Sequence, residues 1–255
     1  MYKALITDLD GSAVIISSYG EDVDEETRAA VARAQAEGLH IACATGRQWI
    51  KAKPVIEALG IKSLCIVSGG SAIVNSETEE VIWKQPLTPR TTHEILAIFK
   101  RHATMGDLYI PEAPFEAPLK DIVDVSDELL YMYMIGIPSR DAEAIIDAVA
   151  KSGLAVAHHT PSWEGNGLQD VHVTHPGATK EHALKVWHRL QGVSVEETIA
   201  MGDSGNDRPL FRAAGLKVAT GNATGELKAL ADYIAPPVTD HALKHVIDKF
   251  LLGQS

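Results

Sequence analysis

The chain has 255 residues, of which 45% are apolar, and its formal net charge at pH 7 is −11. This length suits one large domain or a core with a substantial insertion, and the apolar content is typical of a globular protein with a real core. The acidic balance argues against nucleic acid as a partner, and the lack of any apolar run of membrane-spanning length argues against a membrane.

The sequence contains two cysteines, Cys43 and Cys65, and both lie within apolar runs. Two buried thiols are therefore favoured over a disulfide, which fits a reducing compartment. The N-terminus leads directly into a predicted strand, and no secretory signal peptide is visible. We therefore expect a cytoplasmic location.

The first predicted strand is the apolar run Ala4-Leu5-Ile6-Thr7, which ends in Asp8-Leu9-Asp10-Gly11-Ser12. Because alternate side chains of a strand point the same way, Asp8 and Asp10 are expected to converge at its carboxyl end, where open α/β sheets bind ligands. Two buried like charges are costly unless a cation joins them, and Mg²⁺ prefers oxygen ligands. The alternative is an acidic turn that follows a core strand.

Strands and helices alternate over the next part of the chain, and this spacing predicts right-handed crossovers and a parallel sheet. The second strand leads into Thr45-Gly46-Arg47. The predicted elements are a helix over 24–37 that Asp24 caps and Gly38 stops, a strand over 39–44, a helix to Gly60 with a kink or restart at Pro54, a strand over 63–67, and a hairpin of the segments 72–74 and 81–83.

Most of the prolines lie between residues 84 and 177, where the character of the sequence changes. The pattern predicts a small α/β unit of its own, and we expect an inserted domain over 84–177 with a core from 1–83 and 178–255. The predicted elements of the insertion are a helix from Thr88-Pro89 to about His102, a strand over 130–137, a helix over 139–151 that Gly153 ends, and strands over 154–159 and 168–174.

The alternating pattern returns after residue 178. A short buried strand over 199–201 opens into the polar loop over 202–207. The other predicted elements are a helix over 180–190, a helical turn over 194–197, a helix after the polar loop, a strand over 217–219, a further helix, a strand over 233–235 and a terminal helix from about His241.

Four polar clusters are expected at one edge of the parallel sheet, because the carboxyl ends of its strands meet there. Together they predict a phosphate-handling site, in which a carboxylate attacks phosphorus and forms an aspartyl phosphate. The clusters are the pair Asp8 and Asp10, Thr45 with the backbone N–H groups of Gly46, Lys180 at a helix start after a glycine turn, and the loop over 202–207.

Each cluster has a chemical part in such a site. Mg²⁺ held by Asp8, Asp10 and Asp203 would bridge carboxylate and phosphate. Thr45, backbone N–H groups and the ammonium of Lys180 would hold the remaining oxygens. Asp10 would protonate the leaving oxygen and activate water for the second step.

This combination closely resembles the haloacid dehalogenase (HAD) superfamily, and specifically its Cof-type sugar-phosphatase branch. The resemblance covers the whole chain and implies a doubly wound, Rossmann-like parallel-sheet core with an inserted α/β cap domain. It also implies that the strand leading to Asp8 lies between those leading to Thr45 and Asp203. The motifs that carry it are Asp8-Leu9-Asp10-Gly11-Ser12, Thr45-Gly46-Arg47, Gly177-Ala178-Thr179-Lys180 and Gly202-Asp203-Ser204-Gly205-Asn206-Asp207.

The resemblance further implies a role for each matching residue. Asp8 is expected to be the nucleophile and Asp10 the acid/base, and Mg²⁺ is expected to bind Asp8, the Asp10 carbonyl and Asp203. The expected phosphate-binding residues are Leu9, Thr45, Gly46, Lys180 and Asn206, and the residues expected around this set are Asp207, Asn222 and Arg47.

Two positions depart from the family pattern. Ser12 stands where the family has threonine, and it keeps the hydroxyl. Gly69-Gly70-Ser71 replaces the usual Asn-Gly-Ala, which bears on substrate identity rather than on the reaction. Trp163, in a loop of the insertion, fits a partly buried aromatic as well as it fits closure over a substrate.

The histidines of the insertion suggest a zinc site, but their spacing suits strands, and no cysteine joins them, so a structural role is favoured. These residues are His158, His159, His172 and His175. A solvated surface is likewise favoured over a specificity role for Glu112, Glu116 and Lys120.

We therefore expect Mg²⁺-dependent hydrolysis of a small phosphate monoester, a sugar phosphate or phosphoglycolate, with closure of the cap to exclude bulk water. Two alternatives stay open. One is a phosphomutase of the same superfamily, which would return the phosphate to the sugar, and the less favoured one is a phospho-accepting signalling module of the receiver type. The expected partner is the small-molecule phosphate monoester, and the sequence is consistent with a monomer or a homodimer.

Overall fold

The computed structural model describes residues 2–16, 18–109, 116–122, 128–162 and 165–253. Glu112 and Trp163, which the sequence singles out, lie outside the described residues, as does the side chain of Glu116. The chain divides into two compact units. They are a core unit, Met1–Trp83 with Thr179–Ser255, and an inserted unit, Lys84–Ala178.

Strands and helices alternate through much of the chain. The strands are β1 (Ala4–Thr7), β2 (His40–Cys43), β3 (Leu64–Val67), β4 (Ala72–Asn75), β5 (Val81–Lys84), β6 (Asp107–Tyr109), β7 (Glu116–Pro118), β8 (Tyr131–Pro138), β9 (Val156–Pro161), β10 (Leu168–Thr174), β11 (Thr198–Gly202), β12 (Leu216–Ala219) and β13 (Tyr233–Ile234). The helices are α1 (Glu25–Ala36), α2 (Trp49–Leu59), α3 (Pro89–His102), α4 (Ser139–Ser152), α5 (Lys180–Gln191), α6 (Arg208–Phe211), α7 (Gly225–Lys228) and α8 (Ala242–Val246). Among the described residues, no helix has the length and apolar character needed to cross a membrane.

The core unit is built on a parallel sheet with the strand order β13-β12-β11-β1-β2. β1 pairs in parallel with β11 on one side and with β2 on the other. All four residues of β1 are buried, as expected for an apolar strand in the middle of a parallel sheet. The strand that leads to Asp8 is therefore central, as predicted, and its neighbours lead to Thr45 and Asp203.

The third strand has a parallel neighbour on one side and an antiparallel neighbour on the other. β3 joins β2 through an isolated parallel bridge between Ala44 and Ile66, and it pairs antiparallel with β4 in a separate sheet of order β3-β4-β5. β3 is followed by a tight turn over Ser68–Gly70, whose φ angles are 52°, 68° and 106°. This turn reverses the chain directly after β3, so that β4 returns beside it. The predicted hairpin of β4 and β5 follows.

Two helices of the core unit begin and end as their sequences require. Asp24 caps α1 by accepting hydrogen bonds from the N–H and the hydroxyl of Thr27, at 2.8 and 2.9 Å. α2 is one continuous helix through Pro54, so it does not restart there, and Gly60 ends it with a φ of 70°. Pro54 is the sixth residue of α2, so its missing N–H removes a bond to Ile50 close to the helix start, and the following turns form normally.

Trp187 of α5 anchors the apolar core of this unit. It is the largest fully buried side chain among the described residues, and its Nε1–H donates to the carbonyl of Leu64 in β3 at 2.8 Å. The edge of its ring also meets His40 of β2, with 5.6 Å between ring centroids. α5 belongs to the C-terminal segment of the core unit, and β2 and β3 belong to the N-terminal segment. The contacts of Trp187 therefore connect the two segments.

The inserted unit is an antiparallel sheet of order β7-β6-β8-β10-β9, packed against α3 and α4. Its buried core includes Phe99 of α3, Ile145 of α4 and Val171 of β10. α3 begins as predicted, with the Thr88 hydroxyl accepting from the N–H of Thr91 at 3.2 Å. The sequence pattern missed β6 and β7, because three residues are too few to show an alternating pattern.

Trp187→Phe should lower the free energy of unfolding by about 2–4 kcal/mol, because it removes the hydrogen bond to Leu64 and leaves a cavity in the core. Urea unfolding measures the change. Trp49→Phe is the matched control, since Trp49 is half-buried and its Nε1–H reaches an exposed Glu79 oxygen at 3.4 Å. Its loss should stay below about 1 kcal/mol. Equal losses in both variants would contradict the anchoring role of Trp187.

Candidate active site

Lys180, Asp8 and Asp207 form a buried cluster at the carboxyl edge of the core sheet. The Nζ of Lys180 donates to Asp8 Oδ1 at 2.8 Å and to Asp207 Oδ1 at 2.7 Å. The exposed side-chain fractions are 3% for Lys180, 5% for Asp8 and 0% for Asp207. A buried ammonium requires charged partners, and here it has two. The folded chain thus brings together three motifs that lie far apart in the sequence.

The start of α5 sets the position of Lys180. The Thr179 hydroxyl caps this helix by accepting from the N–H of His182 at 3.1 Å. The backbone of Thr179 and Lys180 lies so close to Gly70 that a Cβ on Gly70 would overlap it, and Gly70 has a φ of 106°. The middle residue of Gly69-Gly70-Ser71 is therefore glycine because α5 leaves no room for a side chain.

The loop over 202–207 is organised around the carboxylate of Asp207. Its Oδ2 accepts from the N–H groups of Asp203 at 3.0 Å and Ser204 at 3.2 Å, while its Oδ1 is bonded to Lys180. Gly202 lies so close to the Asp207 side chain that a Cβ there would overlap it. With both oxygens engaged, Asp207 holds the loop and Lys180 in place.

The Asp10 carboxylate is bound by Arg47, whereas that of Asp8 is bound by Lys180. Arg47 donates from Nε to Asp10 Oδ2 at 2.7 Å and from Nη2 to Asp10 Oδ1 at 2.6 Å. Arg47 Nη1 also donates to the Ser18 carbonyl at 2.7 Å, and the guanidinium lies 5.8 Å from the centre of the Tyr19 ring. The predicted pair of carboxylates is thus divided between two partners, Lys180 and Arg47.

The end of β1 explains this correction. β1 ends at Thr7, and the Leu9 carbonyl then accepts hydrogen bonds from the following turn, including one from the N–H of Val14 at 3.0 Å. The chain has already left the strand when it reaches Asp10, so the alternation of strand side chains no longer applies to it. The Leu9 side chain is fully buried beneath this turn.

Asp8, Asp203 and Asp207 bring carboxylate oxygens within 4.8 Å of one another. Burial raises the pKa of Asp8 from 3.8 to about 7, with Lys180 opposing this shift and Asp207 adding to it. Burial, with the charge of Asp207, also raises the pKa of Asp203 to about 6. Burial alone would lower the pKa of Lys180, but Asp207 and Asp8 outweigh it and raise that pKa. The cluster holds three carboxylates and one ammonium, and this oxygen-rich, negatively charged set fits a hard divalent cation such as Mg²⁺.

Thr45 and Gly46 lie in the loop that follows β2. Thr45 is buried, its N–H donates to the Ile66 carbonyl at 2.9 Å, and its hydroxyl accepts from the N–H of Arg47 at 3.1 Å. The hydroxyl therefore closes this turn and does not cap α2, which begins at Trp49. Gly46 is exposed, and a Cβ there would have no neighbour within 4 Å.

The two predicted asparagines lie in different loops. Asn206 is exposed, and its Oδ1 accepts from the Ser204 hydroxyl at 2.8 Å. Asn222 donates from Nδ2 to the Gly11 carbonyl and accepts at Oδ1 from the N–H of Val238, both at 2.8 Å. Asn222 thus ties the turn after β1 to the C-terminal part of the core unit.

The sequence profile of the haloacid dehalogenase-like hydrolases matches residues 5–112 and 122–247. The chain belongs to this family. Its relatives include Bacillus subtilis YkrA, 28% identical over 96% of each chain. The Escherichia coli pyridoxal phosphate phosphatase YbhA is 24% identical over 88% of this chain and 90% of its own. The Bacillus subtilis 5-amino-6-(5-phospho-D-ribitylamino)uracil phosphatase YcsE is 24% identical over 98% of this chain and 96% of its own.

Solved structures show the same fold. TM0651 from Thermotoga maritima has a TM-score of 0.76 at 18% identity, over 98% of each chain. BT1666 from Bacteroides thetaiotaomicron has a TM-score of 0.78 at 21% identity, over 98% of this chain and 95% of its own. The HAD subclass IIB sugar phosphatase BT4131 has a TM-score of 0.74 at 23% identity, over 97% of this chain and 98% of its own. The predicted family and fold are confirmed, and the names of the relatives support the predicted enzyme class, a phosphatase.

In this haloacid dehalogenase-like hydrolase, the turn over Ser68–Gly70 lies against the loop that follows β2; the sequence singles out Gly69-Gly70-Ser71 for substrate identity but does not predict this contact. The N–H of Ser68 donates to the Arg47 carbonyl at 2.8 Å, and the N–H of Gly69 donates to the Thr45 carbonyl at 3.0 Å. The turn therefore holds both ends of the Thr45-Gly46-Arg47 motif. Two glycines directly after a buried strand were the available signal, but the loop that they contact depends on tertiary packing.

The histidines of the inserted unit pack as aromatic rings. The ring of His172 lies 4.8 Å from Tyr131, 5.4 Å from Tyr133 and 5.1 Å from His158, measured between centroids. Burial lowers the pKa of His172 to about 3, so this ring is neutral at pH 7. In the described part of the chain, the aspartate cluster of the core unit is the one group of three potential metal ligands. Lys120, another candidate from the sequence, is exposed.

In the absence of metal, Asp8→Asn should gain stability relative to the wild type as the pH rises from about 4 to about 7. The pKa of Asp8 is raised in the folded state, so the stability that the protonated carboxyl contributes is lost as the pH rises through about 7, whereas an amide does not ionise. Urea unfolding in EDTA at several pH values measures the difference. Asp147→Asn, at an exposed position of α4, is the matched control and should show no such trend. A pH-independent difference for Asp8→Asn would contradict the raised pKa.

Proposed function

We propose that this protein hydrolyses a small phosphate monoester, a sugar phosphate or phosphoglycolate, through an aspartyl-phosphate intermediate on Asp8. The observation that carries the proposal is the buried pairing of Asp8 with Lys180, which Asp207 also holds. A carboxylate in this position is oriented for attack, and the ammonium beside it would bind phosphoryl oxygens. Relatives named as phosphatases support the same class of reaction.

The proposed reaction has two steps. In the first, an oxygen of Asp8 attacks phosphorus and forms an acyl-phosphate bond, while the bond to the leaving oxygen breaks and Asp10 gives that oxygen a proton. In the second, Asp10 takes a proton from a water molecule as the water attacks phosphorus. The bond to Asp8 then breaks, which releases inorganic phosphate and restores the carboxylate.

Arg47 is the proposed positioning residue for Asp10. Two hydrogen bonds, at 2.7 and 2.6 Å, hold the carboxylate of Asp10 in one plane. The Ser18 carbonyl accepts from the same guanidinium, and the N–H of Ser68 fixes the Arg47 backbone. The orientation of the acid/base is therefore determined by a side chain that is itself held from two directions.

The proposed phosphate-binding groups surround the nucleophile. The ammonium of Lys180 keeps its charge, because Asp207 and Asp8 raise its pKa. We assign the remaining phosphoryl contacts to neutral donors on the loops that follow the strands. They are the Thr45 hydroxyl, the backbone N–H groups of Leu9 and Gly46, and the side-chain amide of Asn206.

Mg²⁺ is the proposed cofactor. Asp8, the backbone carbonyl of Asp10 and Asp203 would hold it, and they supply the oxygen donors that this ion prefers. When bound, it offsets the negative charge of the carboxylates and stabilises the charge on the phosphoryl oxygens. Asp207 is bonded to Lys180 and to two backbone N–H groups, so it supports the set without being one of the proposed ligands.

We propose that the inserted unit, predicted as a cap over 84–177, selects the substrate, because side chains in a binding site and not the fold determine specificity. The names of the relatives support a range of phosphate esters within one fold, including pyridoxal phosphate for YbhA. The cytoplasmic location stays a prediction from the sequence.

Asp8→Asn should fold normally and lose turnover of p-nitrophenyl phosphate by about 10³-fold or more, because the amide is a poor nucleophile towards phosphorus. Release of p-nitrophenolate in the presence of Mg²⁺ measures this. Asp147→Asn, an exposed substitution of the same type, should keep full activity.

Product analysis separates the proposed reaction from its alternatives. A screen of phosphorylated metabolites should identify esters that release inorganic phosphate. With a hexose phosphate, an isomer formed without free phosphate would indicate a phosphomutase. A long-lived phosphorylated Asp8 without turnover would indicate a receiver-type module, and undiminished turnover by Asp8→Asn would refute the nucleophile assignment.

EDTA should abolish turnover of the wild type, and added Mg²⁺ should restore it, because the cluster holds three carboxylates and one ammonium, which is bonded to two of them. Thermal unfolding gives a second readout, since an ion that binds only the folded state raises the melting temperature. Asp203→Asn should weaken both responses to Mg²⁺. Full activity in excess EDTA would exclude the proposed cofactor.

A further inference from the structure

Strand β5 forms an edge of the three-stranded sheet in the core unit, and its sequence is Val81-Ile82-Trp83-Lys84. Val81 is 52% exposed and Ile82 is 36% exposed, so apolar side chains reach solvent from both faces of the strand. Exposed edges usually carry charges, prolines or bulges that prevent pairing with another chain. β9, at an edge of the inserted unit's sheet, ends in Pro161, whereas β5 begins with three apolar residues.

The hairpin of β4 and β5 decides which backbone groups of β5 face outward. The N–H of Asn75 donates to the Glu80 carbonyl at 2.9 Å. In an antiparallel pair, the bonds on one side of a strand come from every second residue, so the backbone groups of Ile82 face β4 as the Glu80 carbonyl does. The N–H and C=O groups of Val81 and Trp83 consequently face the outer side of the strand.

Charged residues flank this edge symmetrically, with Glu80 two positions before Ile82 and Lys84 two positions after it. If a second copy of the chain pairs antiparallel about Ile82, Val81 of each copy lies opposite Trp83 of the other. The outward backbone groups then exchange hydrogen bonds, and each Glu80 lies opposite a Lys84. The same register thus satisfies both the backbone and the charges.

Other orientations and registers do not place each Glu80 opposite a Lys84. A parallel pair would place Glu80 beside Glu80 and Lys84 beside Lys84, and like charges in such positions are unfavourable. An antiparallel pair shifted by two positions would place Lys84 opposite Ile82 or Thr78, neither of which is charged. The self-complementary edge therefore favours one orientation and one register.

We propose that two copies of this chain dimerise through β5, antiparallel about Ile82, with the same edge contributed by each copy. Trp83 already lies against His182 of α5, with 5.7 Å between ring centroids, so pairing orders little that is not already ordered. On pairing, Lys84 gives up its ion pair with Glu128, at 3.2 Å. The loss is small, because exposed ion pairs contribute little to stability. Four residues per strand make a small interface, so we expect a weak dimer that forms only at high protein concentration.

Sedimentation velocity of the full chain, from about 1 μM to about 1 mM, tests the proposal, and the dimer fraction should rise across this range. Glu80→Lys and Lys84→Glu each turn two opposite-charge pairs into like-charge pairs, so each should raise the dissociation constant about tenfold or more. The double variant restores opposite charges in reversed order, and its dissociation constant should return to the wild-type value.

Two controls accompany these variants. None of the substituted residues belongs to the proposed active site, so unchanged turnover of p-nitrophenyl phosphate shows that each variant is folded. Hydrogen exchange at single residues should show that the amides of Val81 and Trp83 gain protection at high concentration, while that of Ile82, which faces β4, does not change. A monomer throughout the range, single variants that dimerise like the wild type, or a double variant that stays dissociated would each overturn the proposal.

Discussion

The core unit depends on one constraint, the buried contact of Lys180 with Asp8 and Asp207. Ionised groups in an apolar interior must meet at bonding distance, here 2.8 and 2.7 Å, since removing one partner of a buried pair costs about 3–5 kcal/mol. The end of β1, the start of α5 and the loop over 202–207 must therefore converge on one point. Gly70 and Gly202 permit this convergence, because a side chain at either position would overlap its neighbours.

The same contact leaves the site with more negative than positive charge. Lys180 compensates part of the charge of three neighbouring carboxylates, and burial, with the charges of Asp207 and Asp203, raises the pKa of Asp8 to about 7. A divalent cation and a phosphate ester bring opposite charges to such a site, and the proposed function uses both. The Asp10 carboxylate is paired with Arg47 and that of Asp8 with Lys180, so the two aspartates of one motif have different partners and are suited to different tasks.

In the core unit, the strand ends around the site are tightly bonded, whereas the edge strand β5 is exposed. The turn over Ser68–Gly70 is bonded to Thr45 and Arg47 and lies against α5, so the strand ends around the site are held by backbone contacts as well as by side chains. β5, the outer strand of the small sheet that begins with β3, exposes apolar side chains and outward backbone groups. The proposed dimer uses that edge, where pairing leaves the residues of the site untouched.

Local patterns in the chain were sufficient to predict the order of most helices and strands and the position of Asp8, Thr45 and Asp203 directly after strands. Periodicity, caps and glycine stops act over a few residues, so they can be read without the fold. The short strands β6 and β7 carry no such pattern, and the antiparallel pairing of β4 with β3 follows from the turn between them. The pairing of Asp10 with Arg47 spans 37 positions, and that of Lys180 with Asp8 spans 172. Only the tertiary structure decides which polar groups at the strand ends meet. These contacts depend on how distant segments pack, and no local sequence pattern specifies that.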